Sequence, residues 1–223
     1  MIFNGGIKFS EDSISSLLIK AKSFLRENQI DKALETVKSI ENYEQLSQKQ
    51  LLDFLVLKAG LHNKMGDFDN SIEVSKKILE IVKEKDDYTS RLYKLDAYIY
   101  YIHSLWYLGR YNEADEIIAK INMENYSPLD ESDEELRIRI AKLKNCVGEI
   151  YWAKGDLDLA LELILKSMSI AKGTKEESWL CEPLGNIGVI YLFKGDFNTL
   201  SLIHISRAHE TSLHLVCRLL LEK

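Results

Sequence analysis

The chain has 223 residues, 46% of them apolar, and 29 basic against 35 acidic side chains give it a net charge of −6. A chain of this size buries a core without disulfides or metal, and two prolines with eleven glycines exclude collagen-like and low-complexity classes and favour long helices. An acidic balance with interspersed signs excludes a sequence-independent nucleic-acid binder, which needs excess Lys and Arg to displace counterions.

Cys146, Cys181 and Cys217 form no CxxC pair, which predicts buried thiols in a reducing compartment rather than a disulfide framework. Met1 to Asp12 show no basic segment followed by an apolar run, so no secretory signal is read there. No stretch reaches the roughly 18 apolar residues of a membrane span. The expectation is a cytoplasmic protein with neither a membrane nor a nucleic acid as partner.

In chain order, an N-terminal extension (1–12) precedes helical apolar spacing that is broken by a recurring phrase: glycine, a polar residue, an apolar residue, then Asp or Asn. The first unit (13–46) carries a weak copy, Asn28-Gln29-Ile30-Asp31, followed by Leu34, Val37 and Ile40. The second (47–87) has Gly66-Asp67-Phe68-Asp69, then Ile72, Ser75, Ile78 and Leu79. The third (88–125) has Gly109-Arg110-Tyr111-Asn112, then Ala114, Ile117, Ile118 and Ile121. In the fourth (131–173), Leu143, Val147, Ile150 and Tyr151 lead into Gly155-Asp156-Leu157-Asp158, and Ala160, Leu161, Ile164 and Met168 follow. In the incomplete fifth (176–199), Leu184, Ile187, Gly188 and Tyr191 lead into Gly195-Asp196-Phe197-Asn198. Apolar residues at i, i+3, i+4 and i+7 predict a helix on each side of each phrase. Loops are expected at Glu41–Ser47, Glu84–Ser90, Asn122–Ser132 (with Pro128) and Lys172–Ser178.

The turn chemistry accounts for the phrase. Glycine suits the left-handed residue that ends a helix. The acid or amide three residues on, at Asp31, Asp69, Asn112, Asp158 and Asn198, is expected to be the N-cap of the next helix, accepting from otherwise orphan amides. The apolar residue between them is expected to pack down and hold the turn. Recurrence at about 40 residues is the mark of a repeat array.

The pattern resembles the tetratricopeptide repeat family, over about residues 13 to 199. The residues that carry the likeness are Ala21-Phe24-Asn28-Ala33, Ala59-His62-Gly66-Ser71, Ile102-Leu105-Gly109-Ala114 and Gly148-Tyr151-Gly155-Ala160. Leu184-Gly-Asn-Ile-Gly-Val-Ile-Tyr191 is the nearest match. The family's small residues let paired helices approach closely, and its aromatic fills the groove between units. Spacings between Asn28, Gly66, Gly109, Gly155 and Gly195 are 38, 43, 46 and 40, longer than the standard unit of about 34, and Ile102 is bulky where a small residue is usual. The long spacing is similar to that of kinesin light chains and bacterial regulator sensor domains. The resemblance implies an all-α fold, an α-solenoid of antiparallel helix hairpins forming a right-handed superhelix.

From Leu200 the character changes: three of the five histidines fall in the last 24 residues. Leu200-Ser-Leu-Ile-His-Ile-Ser206 is the translation of CTGTCTCTTATACACATCTCC, which resembles a transposase-type sequencing adapter. With one inserted C the adapter continues as Arg207 to Thr211, and after an eight-base index its remaining end reads as His214 to Lys223. Residues 200–223 are therefore read as non-native read-through on a fragment of a longer protein, against the alternative of a divergent capping helix. Sequencing the genomic locus is expected to show a different frame after Thr199; the same tail encoded there overturns this reading.

No phosphate loop, HExxH, GxSxG or dinucleotide fingerprint is present, so no catalytic residue, cofactor or metal is expected, and the chain is read as no enzyme. His62 sits in the aromatic slot and is expected to be a packed core residue, Cys146 a buried thiol. The acidic run Asp130 to Glu135 reads as a loop leading into a negatively charged helix N-terminus.

By position relative to the turn glycines, the resemblance implies a concave groove lined by Asn63, Lys64, Tyr100, His103, Trp106, Tyr107, Asn145, Glu149, Trp152 and Asn186. Inter-unit packing is the competing reading for each aromatic. The basic clamp with which some relatives grip a C-terminal carboxylate is absent: Leu18, Lys22, Leu57 and Asn145 hold those places. Trp and Tyr are enriched at binding hot spots, so the expected function is a scaffold that binds a partner peptide or helix. The alternative is an effector-sensing or regulatory arm of a larger signalling enzyme or transcription regulator.

Overall fold

Two helices meet at each of the first four copies of the phrase. The computed structural model describes residues 11–40, 46–121, 133–175 and 177–196. Helices α1 (Glu11–Arg26) and α2 (Ile30–Lys38) flank the first turn, α3 (Gln48–Lys64) and α4 (Phe68–Ile81) the second. The third lies between α5 (Tyr88–Tyr107) and α6 (Tyr111–Lys120), the fourth between α7 (Glu134–Ala153) and α8 (Leu157–Ala171). A 3-10 turn at Glu177–Leu180 leads into α9 (Cys181–Phe193), which runs to the fifth glycine. The protein is all-α, with no strand among the described residues, and no helix among them is long and apolar enough to cross a membrane. Most of the N-terminal extension, residues 41–45 and 122–132 of the expected loops, Asn198, Cys217 and the tail from Leu200 lie outside the described residues.

All five turns close in the same way. The glycine amide reaches back three residues and the next amide reaches back five, as in Gly66 to the Asn63 carbonyl (3.1 Å) and Asp67 to that of His62 (2.8 Å). The paired bonds recur at Gly155 and Asp156, to Trp152 (2.9 Å) and Tyr151 (3.0 Å). These are the two bonds of a Schellman turn, which satisfies the helix's last carbonyls when one residue takes a left-handed backbone. Gly155 has φ +87°, and Asn28 supplies the same conformation at φ 59° in the weak copy.

Because the turn closes so tightly, the following helix begins two residues earlier than the sequence suggested. The N-caps are Gln29, Asp67, Arg110 and Asp156, not Asp31, Asp69, Asn112 and Asp158. The latter four lie inside the first helical turn, where the acids complement the positive end of the helix dipole. The apolar residues Ile30, Phe68, Tyr111 and Leu157 open their helices. Asp156 accepts from the Leu159 amide at 3.2 Å. Asp67 instead accepts from the Asn70 side chain and from His62 Nδ1 (2.8 Å), and these partners, Asn70 foremost, hold its pKa below the ordinary value.

Three of the first helices, α3, α5 and α7, start on side-chain caps, whereas α9 follows Leu180 without one. Ser47 and Gln50 form a reciprocal capping box. Asp87 accepts from the Ser90 amide (3.0 Å), so α5 begins at Tyr88 and the loop expected at Glu84–Ser90 is displaced towards α4, which ends at Ile81. Asp133 accepts from the Leu136 amide (3.0 Å), followed by Glu134 and Glu135 in the first turn, the charged N-terminus read from the acidic run; Asp130 to Ser132 lie outside the described residues.

The chain divides into two compact units, Met1–Ser104 and Leu105–Lys223. In the first, Leu18, Ala21, Ala33, Phe54, Leu57 and Leu61 join α1, α2 and α3, and a second cluster with Leu55, Ile78, Val82, Tyr93 and Ala97 joins α3, α4 and the first part of α5. Here Ser71 Oγ donates to the Ala59 carbonyl at 3.1 Å, a contact only two small residues allow. In the second unit, Ile138, Ala160, Ile164, Met168, Leu184 and Ile187 join α7, α8 and α9. A Cβ on Gly148 would stand 2.6 Å from Ile164 Cγ1 and 3.2 Å from the Ala160 carbonyl, so α7 and α8 cross where the side chain is missing. Arg137 of α7 donates to the carbonyls of Ile170 (2.9 Å) and Lys172 (2.7 Å), closing the C-terminus of α8.

Two glycine substitutions separate these constraints. Gly155→Ala meets open space and is expected to cost about 1 kcal/mol through the left-handed backbone alone. Gly148→Val is expected to cost about 2–3 kcal/mol by overpacking the α7–α8 crossing. Urea denaturation of both measures the difference; equal costs refute the close-crossing account.

Candidate functional site

The ten groove candidates fall into the two units. In the first unit, Asn63 Nδ2 donates to Ser104 Oγ at 3.1 Å, and Lys64 is exposed. Tyr100 rests its hydroxyl against Gly60, 2.9 Å from where a Cβ would stand, so this ring serves helix packing. His103 is half-buried, and burial followed by the charge of Lys64 pushes its pKa down to about 4; its imidazole is neutral at pH 7. His62 is not enclosed in the core as expected: its side chain is 21% exposed and bonded to Asp67 of the turn.

The second unit brings the other six together as an aromatic series and a polar cluster. Trp106, at the end of α5, lies with its ring centroid 4.6 Å from that of Tyr107 and 5.9 Å from that of Trp152 on α7. Trp152 in turn lies 6.2 Å from Phe193 on α9, edge towards face. Such separations are those of attractive aromatic pairs. Trp106 and Trp152 each stand three residues before their turn glycine, so the repeat register aligns them. Tyr107 and Phe193 stand two before theirs, and both are more than half exposed. Trp106, Tyr107, Tyr111, Trp152 and Ala153 line an open recess of about 210 Å³.

The polar cluster is buried in the α7–α9 seam. Glu149 is 3% exposed; its Oε1 accepts from Asn145 Nδ2 (3.0 Å) and from Asn186 Nδ2 (2.7 Å). Asn145 Nδ2 also donates to Glu182 Oε1 at 3.2 Å. Glu149 Oε2 has no hydrogen-bond partner among the described residues. Burial, and then the neighbouring Glu182, push the Glu149 carboxyl up to about 8, against the two amide bonds that favour the anion. At pH 7 it is therefore mainly a neutral acid, and its proton sits where an anion would otherwise be left without solvent. Beside it the Cys146 thiol is buried and pushed well up by that burial. Cys181, expected to be buried too, is exposed at the start of α9.

No family model, no curated protein and no solved structure matches the chain. The site is accordingly described by its own geometry.

Several members of this surface were not picked out from the sequence. Phe193 extends the aromatic series, and its register, equal to that of Tyr107, was the available signal. Glu182 carried none, since only folding brings it to Asn145. Lys154 and Lys194, each directly before a turn glycine, pair with Asp115 of α6 and Asp158 of α8, a repeated bridge visible only once the helices are packed. Both bridges are exposed, and such pairs contribute little.

The buried acid gives a pH signature. A carboxyl near 8 in the folded chain and near 4.5 when exposed keeps a proton that unfolding releases. Its contribution is therefore greatest at low pH, where the exposed group is protonated too, and it declines as pH rises from about 4.5 to about 8, by at most about 1.4 kcal/mol per pH unit. Relative to the wild type, Glu149→Gln is expected to flatten the dependence of unfolding free energy on pH across that window. Parallel slopes in urea titrations would exclude a raised Glu149 pKa.

Proposed function

We propose that the chain is a protein–protein interaction module of tetratricopeptide type, its helix pairs stacking as antiparallel hairpins of a right-handed α-solenoid, and that it binds a peptide or helical segment of a partner protein in the cytoplasm. The observation that carries this reading is the aromatic series Tyr107–Trp106–Trp152–Phe193. Its rings extend over three helices and its ends are exposed. Large, stiff side chains lose little entropy on binding and are the residues on which interfaces concentrate their energy. A core packing role alone leaves the exposure of Tyr107 and Phe193 unused.

The recess of about 210 Å³ is smaller than the enclosed pockets of small-molecule sites, which run to roughly 300–1,000 Å³. Its size suits one side chain of a larger partner. The absence of a catalytic motif in the sequence is in keeping with this, and the neutral His103 and Glu149 of the two units serve here as packed polar groups.

Selection of a phage-displayed random heptapeptide library on the immobilised chain tests the proposal. Enriched peptides are expected, and the Trp106→Ala/Trp152→Ala double variant, with its circular-dichroism melt retained, is expected to weaken their binding at least tenfold, the loss of one hot-spot ring. Equal binding by a folded double variant refutes the site.

A further inference from the structure

The second unit lacks what an extended peptide needs. A chain lying along a groove presents its own N–H and C=O groups, and each one covered without a hydrogen bond costs free energy. The candidates to serve such groups are the side-chain amides of Asn145 and Asn186, with two hydrogens each. All four hydrogens are already donated within the protein. Asn145 Nδ2 donates to Glu149 Oε1 (3.0 Å) and to Glu182 Oε1 (3.2 Å). Asn186 Nδ2 donates to Glu149 Oε1 (2.7 Å) and to Asn145 Oδ1 (3.3 Å). Glu149, which receives two of the four, is only 3% exposed. Lys154 and Lys194 are bonded to Asp115 and Asp158.

What remains open is apolar and regularly spaced. The recess between Trp106 and Trp152 has no acidic or basic side chain in its lining. On α9, Leu192 stands three residues before its glycine, the register of both tryptophans, and it is exposed together with Phe193. A charged side chain seated on this row would be desolvated without a counter-charge, so the complementary face is an uncharged one. Ring centroids follow one another at 5.9 Å from Trp106 to Trp152 and 6.2 Å from Trp152 to Phe193. Side chains four residues apart on an α-helix recur at about 6 Å.

We propose that the aromatic series receives an amphipathic α-helix of the partner protein. Its uncharged apolar side chains, leucine or methionine in kind, stand at i, i+4 and i+7 or i+8 over the rings of Trp106, Trp152 and Phe193. The inference rests on the peptide-binding reading above and narrows its ligand from any peptide to a helix. A helix bonds its own backbone groups and so asks nothing of the asparagines. An extended chain in the same place keeps the apolar contacts but loses a hydrogen bond at each peptide group turned towards the rings. An isolated indole or phenol cannot serve successive peptide groups.

A phage-displayed library of random 15-residue peptides, about four helical turns, selected on the whole chain provides the probe. Enriched sequences are expected to carry apolar residues at helical spacing. In a synthetic copy, proline placed between two anchors is expected to weaken binding at least tenfold. A lactam joining Glu and Lys four residues apart, on the face away from the anchors, is expected to tighten it several-fold by fixing the helix beforehand. Fluorescence anisotropy reads both. A peptide that needs the two tryptophans but tolerates the proline, or is released by the lactam, overturns the helix and leaves the interaction module standing. Equal binding by the folded Trp106→Ala/Trp152→Ala variant, or failure to select any peptide, overturns both.

Discussion

The fold depends on one backbone event repeated along the chain: a single residue turns left-handed, and two amides reach back to close the helix behind it. Every helix pair enters its turn with the same two hydrogen bonds, and each N-cap that follows has nearly the same backbone angles, φ between −81° and −89°. That constancy sets the register of everything upstream of the turn. A side chain three residues before the glycine leaves the helix at the same height and on the same face in every pair. The aromatic series of the second unit is a consequence of this fixed register and needs no separate device to align its rings.

The turn also explains which parts of the sequence were legible. Glycine spacing, and the apolar positions around it, located all nine helices among the described residues, because a left-handed residue and a 3.6-residue apolar period each have a single structural meaning here. The small positions Ala21, Ala59, Gly148 and Ala160 could be read as sites of close approach, and they are buried. The cap could not be read correctly. An Asp or Asn at the fourth place of the phrase is chemically able to cap, and only the closure of the Schellman turn, which consumes no extra residues, moves the cap two places earlier, to the residue after the glycine. Gly60 lies one place beyond its unit's small position, Ala59, so counting from the turn glycine does not single it out, and only the structure shows the Tyr100 hydroxyl against it.

The candidate site was legible to the extent that it follows the repeat. Trp106, Trp152, Asn145 and Asn186 were placed by counting back from a glycine, and within the second unit Trp106 meets Trp152 and Asn186 meets Asn145. What counting could not supply is interaction across helices. Glu182 reaches Asn145, and Glu149 collects both amides, through the packing of α9 on α7, which depends on Leu184, Ile187 and Ile190 filling the core behind them. His62 shows the limit of slot-based reading. It occupies an aromatic's place, but a ring with a polar nitrogen turns to the nearest carboxylate, and Asp67 of the turn is within reach.

The polar seam between α7 and α9 has a cost that the apolar seams do not. Burying a carboxyl is tolerable only if it is neutral or fully bonded. Glu149 is half of each, with one oxygen holding two amide donors and the other none among the described residues. An apolar side chain of the same size would pack there more favourably, as buried charged and polar groups generally give way to well-packed apolar ones without loss of stability. What an apolar residue cannot do is fix the direction in which Asn145 and Asn186 point, since each amide is oriented by the acceptor it serves. A buried acid at this seam therefore exchanges some stability for a fixed orientation of the two amides, one on α7 and one on α9, that its Oε1 receives.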